Sequence, residues 1–583
     1  METRLAASVL IVGGGPCGLM LANELGRRGV SAVLVDEKPG TAFNPQANAT
    51  QARSMEHYRR LGFADEIRRE GLPADYPTDV AYFTRYAGYE LARFALPSSS
   101  RAGELIKGMS GSWSAAELPH RVSQKYVEAV LRRHAERLPG IELNYGHRLI
   151  GYLESNDGIV GEIERLDDGS RFRVRADFLV GADGPRSTLR QSLGIVYGGE
   201  TGTQRDFMGG RMLAVYLRSP DFYARVPHAK AWMYNCFNGD RHAFMASVNG
   251  RDEFGFHTQL RPGEDESAIT ITEAKAAFQR ACGAPIDCEV LSFLTWTAGH
   301  ALVANGMQRG RVFLGGDAAH LFTPTGGLGY NTAIEDAVNL GWKLASVIKG
   351  VSPAALLDSY EVERRPVALR NTDYARRFAD SLGLFAPAAE IEDATDAGRE
   401  ARRIAGDYLE QHARAEFNIP GVTFRRALRR LADHRLRRQR TAARYRKRLH
   451  PERLSRGPRT ACVAGGRRVL VRFVGVRMDA APVRRSRLGS SCGDGSCPCA
   501  RGRGEARHAA GLLARSLRDG PRADTSRPDC GMARQRLTGR DNRARAGPRA
   551  RTRERCCATG ELIRIQSAKA PIIAGRNHRR RTT

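Results

Sequence analysis

The sequence predicts an α/β fold in which a doubly wound, parallel-sheet domain is interrupted by a mostly antiparallel sheet and followed by a basic, disordered tail. Three observations predict it. The chain opens on a strand, a glycine-rich turn, a helix and a second strand, all before residue 37. Residues 205–300 alternate apolar and polar over several short segments (MLAVYL, AWMYNCF, RHAFMASV, EFGFHTQL), the pattern of half-buried strands. The charge breaks near Phe424. The 583-residue chain carries +29 overall, but residues 1–424 carry −4, and the last 159 carry 42 Arg and 2 Lys against 11 acidic residues. The body is therefore an ordinary, slightly acidic globular protein, and its length admits two or three domains.

Ser8–Val12 reads as a buried strand. GGGPCG follows at once, Leu19–Arg28 reads as a helix closed by Gly29, and Ala32–Val35 reads as a strand ending in Asp36. Gly13, Gly15 and Gly18 stand in GxGxxG spacing. Such glycines allow a tight turn and bring backbone close to a pyrophosphate, which rests on the helix N-terminus. Asp36 is placed to accept hydrogen bonds from a ribose. In NPQANATQARSMEHYRRLG, Ser54–Leu61 reads as a helix closed by Gly62, with Arg53 at its start, where a guanidinium can meet a phosphate. Residues 79–95 alternate weakly through Val80, Tyr82, Phe83, Tyr86 and Tyr89.

Arg121–Arg137 reads as an amphipathic helix burying Val122, Tyr126, Val127, Val130 and Leu131, with Gln124 in its first turn. Strands near 158–166 and 171–176 form a hairpin around Asp167, Asp168 and Gly169. Phe178–Val180 then runs into GADGPRSTLR. Arg311–Leu344 reads as a short strand, a Gly-Asp turn, a Pro/Gly loop and a helix from about residue 331, and Ala354–Leu384 as one or two long helices. Four scattered cysteines in the body (Cys17, Cys236, Cys282, Cys288) form neither a disulfide framework nor a metal spacing, which fits a reducing, cytoplasmic setting. The apolar run from Val9 ends after four residues, too short for a membrane span or a signal peptide.

GxGxxG is followed, in order, by GADG at 181–184 and GGDAAH at 315–320. This trio resembles the FAD-dependent aromatic hydroxylases, the group A flavoprotein monooxygenases with the para-hydroxybenzoate hydroxylase fold. PTGGLGYNTAIEDAVNLGWKLA and SYEVERRP look like the phenol and hydroxyphenylpropionate hydroxylase branch, and the resemblance spans about residues 5–424. It implies a Rossmann-like FAD-binding domain in three parts (1–78, 101–195, 299–384). It also implies an inserted substrate sheet (79–100, 196–298), linker helices (385–424) and a tail (425–583). It implies that Gly13, Gly15 and Gly18 hold the FAD pyrophosphate, that Asp36 holds the adenosine ribose and that Arg53 and Gln124 are FAD contacts. Asp183 supports FAD and nicotinamide use. Gly316 and Asp317 form the turn at the ribityl chain, Pro324 lies beside the isoalloxazine, and Gly327, Leu328, Gly329 and Asn331 line its pyrimidine edge.

Gln46 stands where the family commonly places Arg or Lys. The implied reaction hydroxylates a phenolic substrate with NADH or NADPH and O2 through a flavin C4a-hydroperoxide. The proton acceptor is unassigned; His257, His300, His320 and Tyr234 are candidates by type and region. No metal, membrane or specific nucleic acid is expected, and a homodimer is admitted. No WxWxIP-like segment surrounds Trp113, Trp232, Trp296 or Trp342, which disfavours a flavin halogenase.

For the tail three readings compete. A nucleic-acid-binding protein acting through its arginines lacks the lysines and stacking aromatics, since only Tyr445 and Phe473 are aromatic. A metal knot at Cys492, Cys497 and Cys499 has no partner histidine and no common zinc spacing. Out-of-frame translation of a GC-rich gene explains the Arg, Ala, Gly and Pro excess. Permitted codons for Thr460–Arg468, read one base on, spell P-H-V-W-L-A-D-G, which resembles the start of the thioredoxin-like domain of this family branch. Arg425–Arg435 similarly allows G-A-L-Y-D-G-S-P-I-I, which the family places just before it. The preferred expectation is a frame change near Phe424 that replaces that domain.

Overall fold

The computed structural model describes residues 3–107, 115–203, 205–417 and 563–564. Trp113 and the cysteine cluster at 492–499 lie outside the described residues, as does the rest of the 425–583 tail apart from Ile563–Arg564. Those two residues pair antiparallel with Gly151 and Tyr152.

Four apolar strands build the centre of the first sheet. Phe178–Gly181 lies between Val9–Val12 and Val312–Leu314, with Ala32–Asp36 on the far side of Val9–Val12; all pair in parallel. Ile141–Tyr145 extends the sheet in parallel beyond Ala32–Asp36, and Gln308–Arg309 closes the other edge antiparallel. Val9, Leu10, Ile11, Leu34, Val35, Leu179, Val312, Phe313 and Leu314 are fully buried, as expected where both faces are covered. Parallel alignment brings the ends of four neighbouring strands to one edge of the sheet, so Gly13, the Asp36 carboxylate, Ala182–Asp183 and Gly315–Asp317 emerge together.

The helix after the first strand spans Pro16–Gly26, earlier than the sequence suggests, because Gly15 caps it and Pro16 fits the first turn, where no N–H is needed. It packs on Leu328–Ile348, the helix after the Gly-Asp turn. That helix starts three residues before the expected position, behind Gly327 in a left-handed conformation (φ +58°). Ser359–Gly383 is one continuous helix running through Pro366. A separate sheet carries the 158–165 and 171–176 hairpin, with His147–Ser155 on one side and Thr3–Ala6, a strand that sequence reasoning misses, on the other.

The second large sheet has seven strands, in the order Glu289–Ala298, Gly210–Arg218, Glu253–Gln259, Ala243–Ser247, Met233–Cys236, Val80–Phe83 and Glu90–Phe94. All pairs are antiparallel except Met233–Cys236 with Val80–Phe83. Alternation sorts its side chains to two faces. Ala81, Phe83, Val215, Tyr234, Met245 and Phe256 pack with the Ile271–Cys282 helix. A full capping box, Thr270 with Glu273, starts that helix. Val80, Tyr82, Met212, Trp232 and Phe244 face the other way, with Leu382, Leu409 and Ala413 from the long helices. The segment expected as linker helices holds Asp396–Phe417, a helix that closes over this second face.

Among the described residues no helix is long and apolar enough to cross a membrane. The centre of the first face is Phe222, fully buried, with ring centroids of Tyr234 at 5.3 Å, Phe254 at 4.8 Å and Tyr86 at 6.1 Å. Phe222→Ala is expected to destabilise the body by about 3–5 kcal/mol, read as a lower urea midpoint of unfolding.

Candidate active site

Three turns meet where the parallel strands end. A Cβ on Gly13 (φ +112°) would lie 2.1 Å from the Ala182 carbonyl oxygen, so only glycine lets the first turn pass the second. A Cβ on Gly18 would meet the Gly13 carbonyl oxygen at 1.9 Å, which explains a glycine inside a helix. In front of Gly15, by contrast, a Cβ would meet nothing within 4 Å. The backbone is bare and open where the helix presents its first N–H groups, the arrangement that receives a phosphate.

Asp36 ends its strand with Oδ2 accepting from the Gly14 N–H at 2.5 Å and Oδ1 from the Lys38 N–H at 2.7 Å. Asp183 takes Thr188 Oγ1 and the Leu189 N–H on one oxygen, at 3.3 and 3.2 Å. Its other oxygen, Oδ1, is buried and has no partner. Burial pushes its carboxyl above the usual range, against the nearby Ser187 hydroxyl and the Leu189 and Thr188 bonds, which lower it. Asp317 is the one exposed residue between Val312 and His320, although protein surrounds it on most sides. Asp317 is therefore open to solvent at the strand ends, while its own carbonyl accepts from the Tyr197 hydroxyl.

Gly316 N–H donates to Asp336 Oδ2 at 3.2 Å. His320 Nε2 lies 2.6 Å from the same oxygen, and Arg364 Nε donates to Oδ1 at 2.7 Å. Asp336 and the His320 side chain are fully buried. Burial alone would raise the Asp336 carboxyl; Arg364 and His320 overcome this and hold it below the ordinary carboxylate value. His320, a candidate proton acceptor, thus has its Nε2 committed to Asp336 beneath the turn, while its Nδ1 is buried without a partner.

The other three candidates separate. Tyr234 packs on the face turned to the Ile271–Cys282 helix, its oxygen accepting from the Ala231 N–H at 2.9 Å. His300 Nδ1 is 3.0 Å from Thr201 Oγ1 at a partly exposed corner. His257 alone lies stacked on Phe244, centroids 4.4 Å apart, beside Trp296. Its Nδ1 is buried without a partner, and burial pulls its pKa to about 4, so it is neutral near pH 7.

Asn331 is expected to line a cofactor edge, yet its amide is spent on protein. Nδ2 donates to Ala49 O at 2.8 Å and Gly327 O at 2.6 Å, and Oδ1 accepts from the Gln51 N–H and Ser54 Oγ at 2.9 and 2.7 Å. It fastens the 49–54 segment to the start of the Leu328–Ile348 helix. Leu328 is buried, Gly329 abuts Phe322, and Pro324 is exposed on the same loop.

Gln124, the first helical residue, donates to Glu128 Oε1 at 2.7 Å and to Gln46 Oε1 at 3.2 Å. Gln46 therefore stands at the site as an uncharged partner of Gln124. Arg53 pairs with Glu56 at 2.8 Å on the helix surface. Sequence reasoning misses Glu416, near the end of the Asp396–Phe417 helix. Its Oε1 accepts from the Gly326 N–H at 2.6 Å and its Oε2 lies 2.8 Å from His412 Nε2.

The open backbone at Gly15, the carboxylate at Asp36 and the unspent Asp183 oxygen fit the FAD that the sequence implies. The helix start at Gly327–Gly329 fits it as well. Residues 6–375 match the family described as FAD binding domain. The chain is 33% identical over 429 residues to the FAD-dependent monooxygenase apdD of Emericella nidulans, covering 70% of this chain and 68% of that protein. It is 34% identical over 365 residues to a putative polyketide hydroxylase of Streptomyces coelicolor, covering 62% of this chain and 56% of that one. Among solved structures it resembles the rebeccamycin biosynthetic enzyme RebC with reduced flavin, at a TM-score of 0.64 and 29% identity, over 72% of this chain and 77% of that chain. The chain thus spans from 56% to 77% of the length of these proteins.

Asp336→Asn leaves the buried Arg364 short of its counter-charge and is expected to cost about 3–5 kcal/mol. The pH dependence has a definite sign. The folded pKa of Asp336 lies below the unfolded one, so its stabilisation is complete above about pH 4 and is lost as pH falls through the folded value. Urea unfolding across an acid series is expected to show a shallower acid limb for Asp336→Asn than for the parent.

Proposed function

The chain belongs to the FAD-binding family of flavoprotein monooxygenases, and from that premise we propose that it hydroxylates a phenolic, polycyclic aromatic substrate with NAD(P)H and O2. The observation that carries this reading is the convergence of three turns, Gly13–Gly18, Ala182–Asp183 and Gly315–Asp317, at the ends of adjacent parallel strands. Ligands of open α/β sheets bind there. A polycyclic substrate is supported by the polyketide hydroxylase relative and by the broad apolar face that Tyr82, Phe207, Trp232 and Phe244 turn toward the long helices.

In this reading the Pro16–Gly26 helix start and Gly13, Gly15 and Gly18 receive the pyrophosphate. Asp36 takes the adenosine ribose, with Arg53 and Gln124 as outer contacts. Asp317, with Gly316, meets the ribityl chain, Asp183 supports FAD and nicotinamide use, and Pro324 and Gly327 to Asn331 form the bed of the ring. Bound FAD supplies the redox chemistry, taking electrons from NAD(P)H and using them to activate O2, one atom of which enters the substrate ring while the other leaves as water. With FAD bound, the helix start at Leu328 would offer its free N–H groups and positive end to the anionic edge of the ring. The apolar face excludes water from the reacting oxygen. His257, neutral and with a free ring nitrogen, is the residue of the four candidates best suited to receive the phenolic proton. Free, buried cysteines at 17, 236, 282 and 288 support a cytoplasmic setting.

We also propose that residues after about 424 are read out of frame. The composition break and the length of each relative left without a counterpart support this. Sequencing the coding DNA tests it: no single-base change near codon 424 restoring a family-like frame would end the idea.

The enzymatic reading is tested by purifying the full chain, adding FAD and screening phenols for faster NAD(P)H oxidation with matching O2 uptake. Bound FAD and at least one stimulating phenol are expected. Asp36→Ala is expected to weaken FAD about ten- to a hundred-fold, the range of one or two charge-assisted hydrogen bonds. Folded protein that takes up no FAD would end the reading.

A further inference from the structure

The 120–121 strand corrects the sequence reading in a way that exposes a new site. The sequence places Arg121 at the start of a helix, but Ser123 caps that helix in extended conformation and Gln124 starts it. His120–Arg121 instead pairs antiparallel with Ala49–Thr50. Ala49 is the residue whose carbonyl holds Asn331 and whose Cβ would be 3.1 Å from one added to Gly327. The backbone of Arg121 therefore runs one strand away from the loop that beds the flavin ring. His120 turns away, its Nε2 3.1 Å from Arg68 O. Arg121 turns the other way and lays its guanidinium over the Trp232 ring, Cζ 3.8 Å from the centroid.

Trp232 belongs to the apolar face of the seven-stranded sheet, where it packs with Phe417. Protein encloses the Arg121 guanidinium, which still keeps partial access to solvent, as a side chain lining a cleft does. Among the described residues no carboxylate, carbonyl or hydroxyl meets it; the group it meets is the Trp232 ring. Burial with no compensating anion draws its pKa down to about 10, and it remains a cation near neutral pH. The Trp232 indole N–H is also buried without an acceptor. Among the described residues the other enclosed arginines have polar partners: Arg364 has Asp336 and Glu335, Arg205 has Asp380, and Arg190, which also lies over a ring, Tyr197, has the Pro185 and Ala318 carbonyls. A cation largely enclosed by protein and without a polar partner among the described residues calls for a ligand bearing acceptor oxygens and negative charge.

We propose that Arg121 is the anion anchor of the substrate site, binding an anionic oxygen of the aromatic substrate, a ring carboxylate or phenolate, while the fully buried Trp232 ring supports the guanidinium from behind. This rests on the monooxygenase reading and narrows its substrate class to aromatics that are negatively charged when bound. Arg121 would hold the ring in place between the flavin loop and the sheet. It takes no proton itself.

The test uses the FAD-loaded full chain and calorimetric titration with matched probes. One pair is a dihydroxyanthraquinone carboxylate and its carboxamide. The other is a hydroxyanthraquinone, above the pKa of its phenol, and its methyl ether. Parent protein is expected to bind at least one anion about ten-fold tighter than its neutral partner, as a charge-assisted bond would give. The pair that shows the preference identifies carboxylate or phenolate. Arg121→Gln is expected to erase the preference and Arg121→Lys to keep part of it, with FAD content unchanged in both. The proposal is overturned by a parent protein without preference, including one that binds neither member. It is overturned equally by a preference that survives in Arg121→Gln, or by Arg121→Gln losing FAD instead, which would turn the guanidinium toward the cofactor. Should Arg121→Gln not fold, Arg121→Lys decides, an undiminished preference counting against the proposal. Failure of the monooxygenase reading shows separately, as parent protein that takes up no FAD.

Discussion

A single buried carboxylate, Asp336, ties together the parts on which the site depends. It is fully buried and charged, so it must be surrounded by donors or be protonated. Its donors come from separate segments: Gly316 and His320 from the Gly-Asp turn, and Arg364 from the Ser359–Gly383 helix. Asp336 itself sits two turns into the Leu328–Ile348 helix. The turn that carries Asp317 is thereby fixed to both long helices. Such a network contributes little net stability relative to an apolar core, but removing one member is costly. Its value here lies in allowing one position of the Gly316 backbone relative to the helix start at Gly327.

Polar groups around the cleft divide into those spent on protein and those left unspent. Asn331 is a residue type that suggests chemistry, yet its amide is spent on backbone and on Ser54, and His320 commits its Nε2 to Asp336. Asp183 Oδ1, His257 Nδ1, His320 Nδ1 and Trp232 Nε1 are buried without a polar partner, and the half-buried Arg121 guanidinium has none among the described residues. In a folded protein unsatisfied buried groups are few and need a reason. The division does not follow residue type. Asp183 lies at the end of the parallel sheet, and His257 and Trp232 lie on or beside the antiparallel one.

Much of the first sheet is legible in the sequence because its determinants are local. GGGPCG, GADG and GGDAAH each join a buried strand to a turn within a few residues, and glycine spacing records where backbone must pass backbone. The alternation across 205–300 likewise announces the second sheet. What stays hidden depends on contacts distant in sequence. Asn331 holds Gln51, 280 positions away, and Glu416 holds Gly326, 90 away; neither leaves a periodic trace. Arg121 is misleading for a local reason. Val122 is buried and fits the apolar stripe of the following helix as well as it fits a strand, so the helical period runs back three residues too far. The extended Ser123, which ends the ambiguity, is visible only in the backbone.

The position of Glu416 bears on what a change of frame near Phe424 could alter. Every residue assigned to cofactor or substrate lies before the end of the Asp396–Phe417 helix, whose last turn holds Gly326 and packs Phe417 against Trp232. Phe417 and Phe424 are seven positions apart, a reach of at most about 25 Å when extended. A frame change there leaves the site's groups in place and acts instead on whatever covers this helix. Ile404, on its outer side, is largely exposed. A family-like domain lost from that side would bare apolar surface beside the substrate cleft. The first consequence would be association or leakage of water into the cleft, with FAD binding kept. An intact cofactor site in a poorly coupled enzyme is therefore the physical signature that distinguishes a damaged tail from a damaged body.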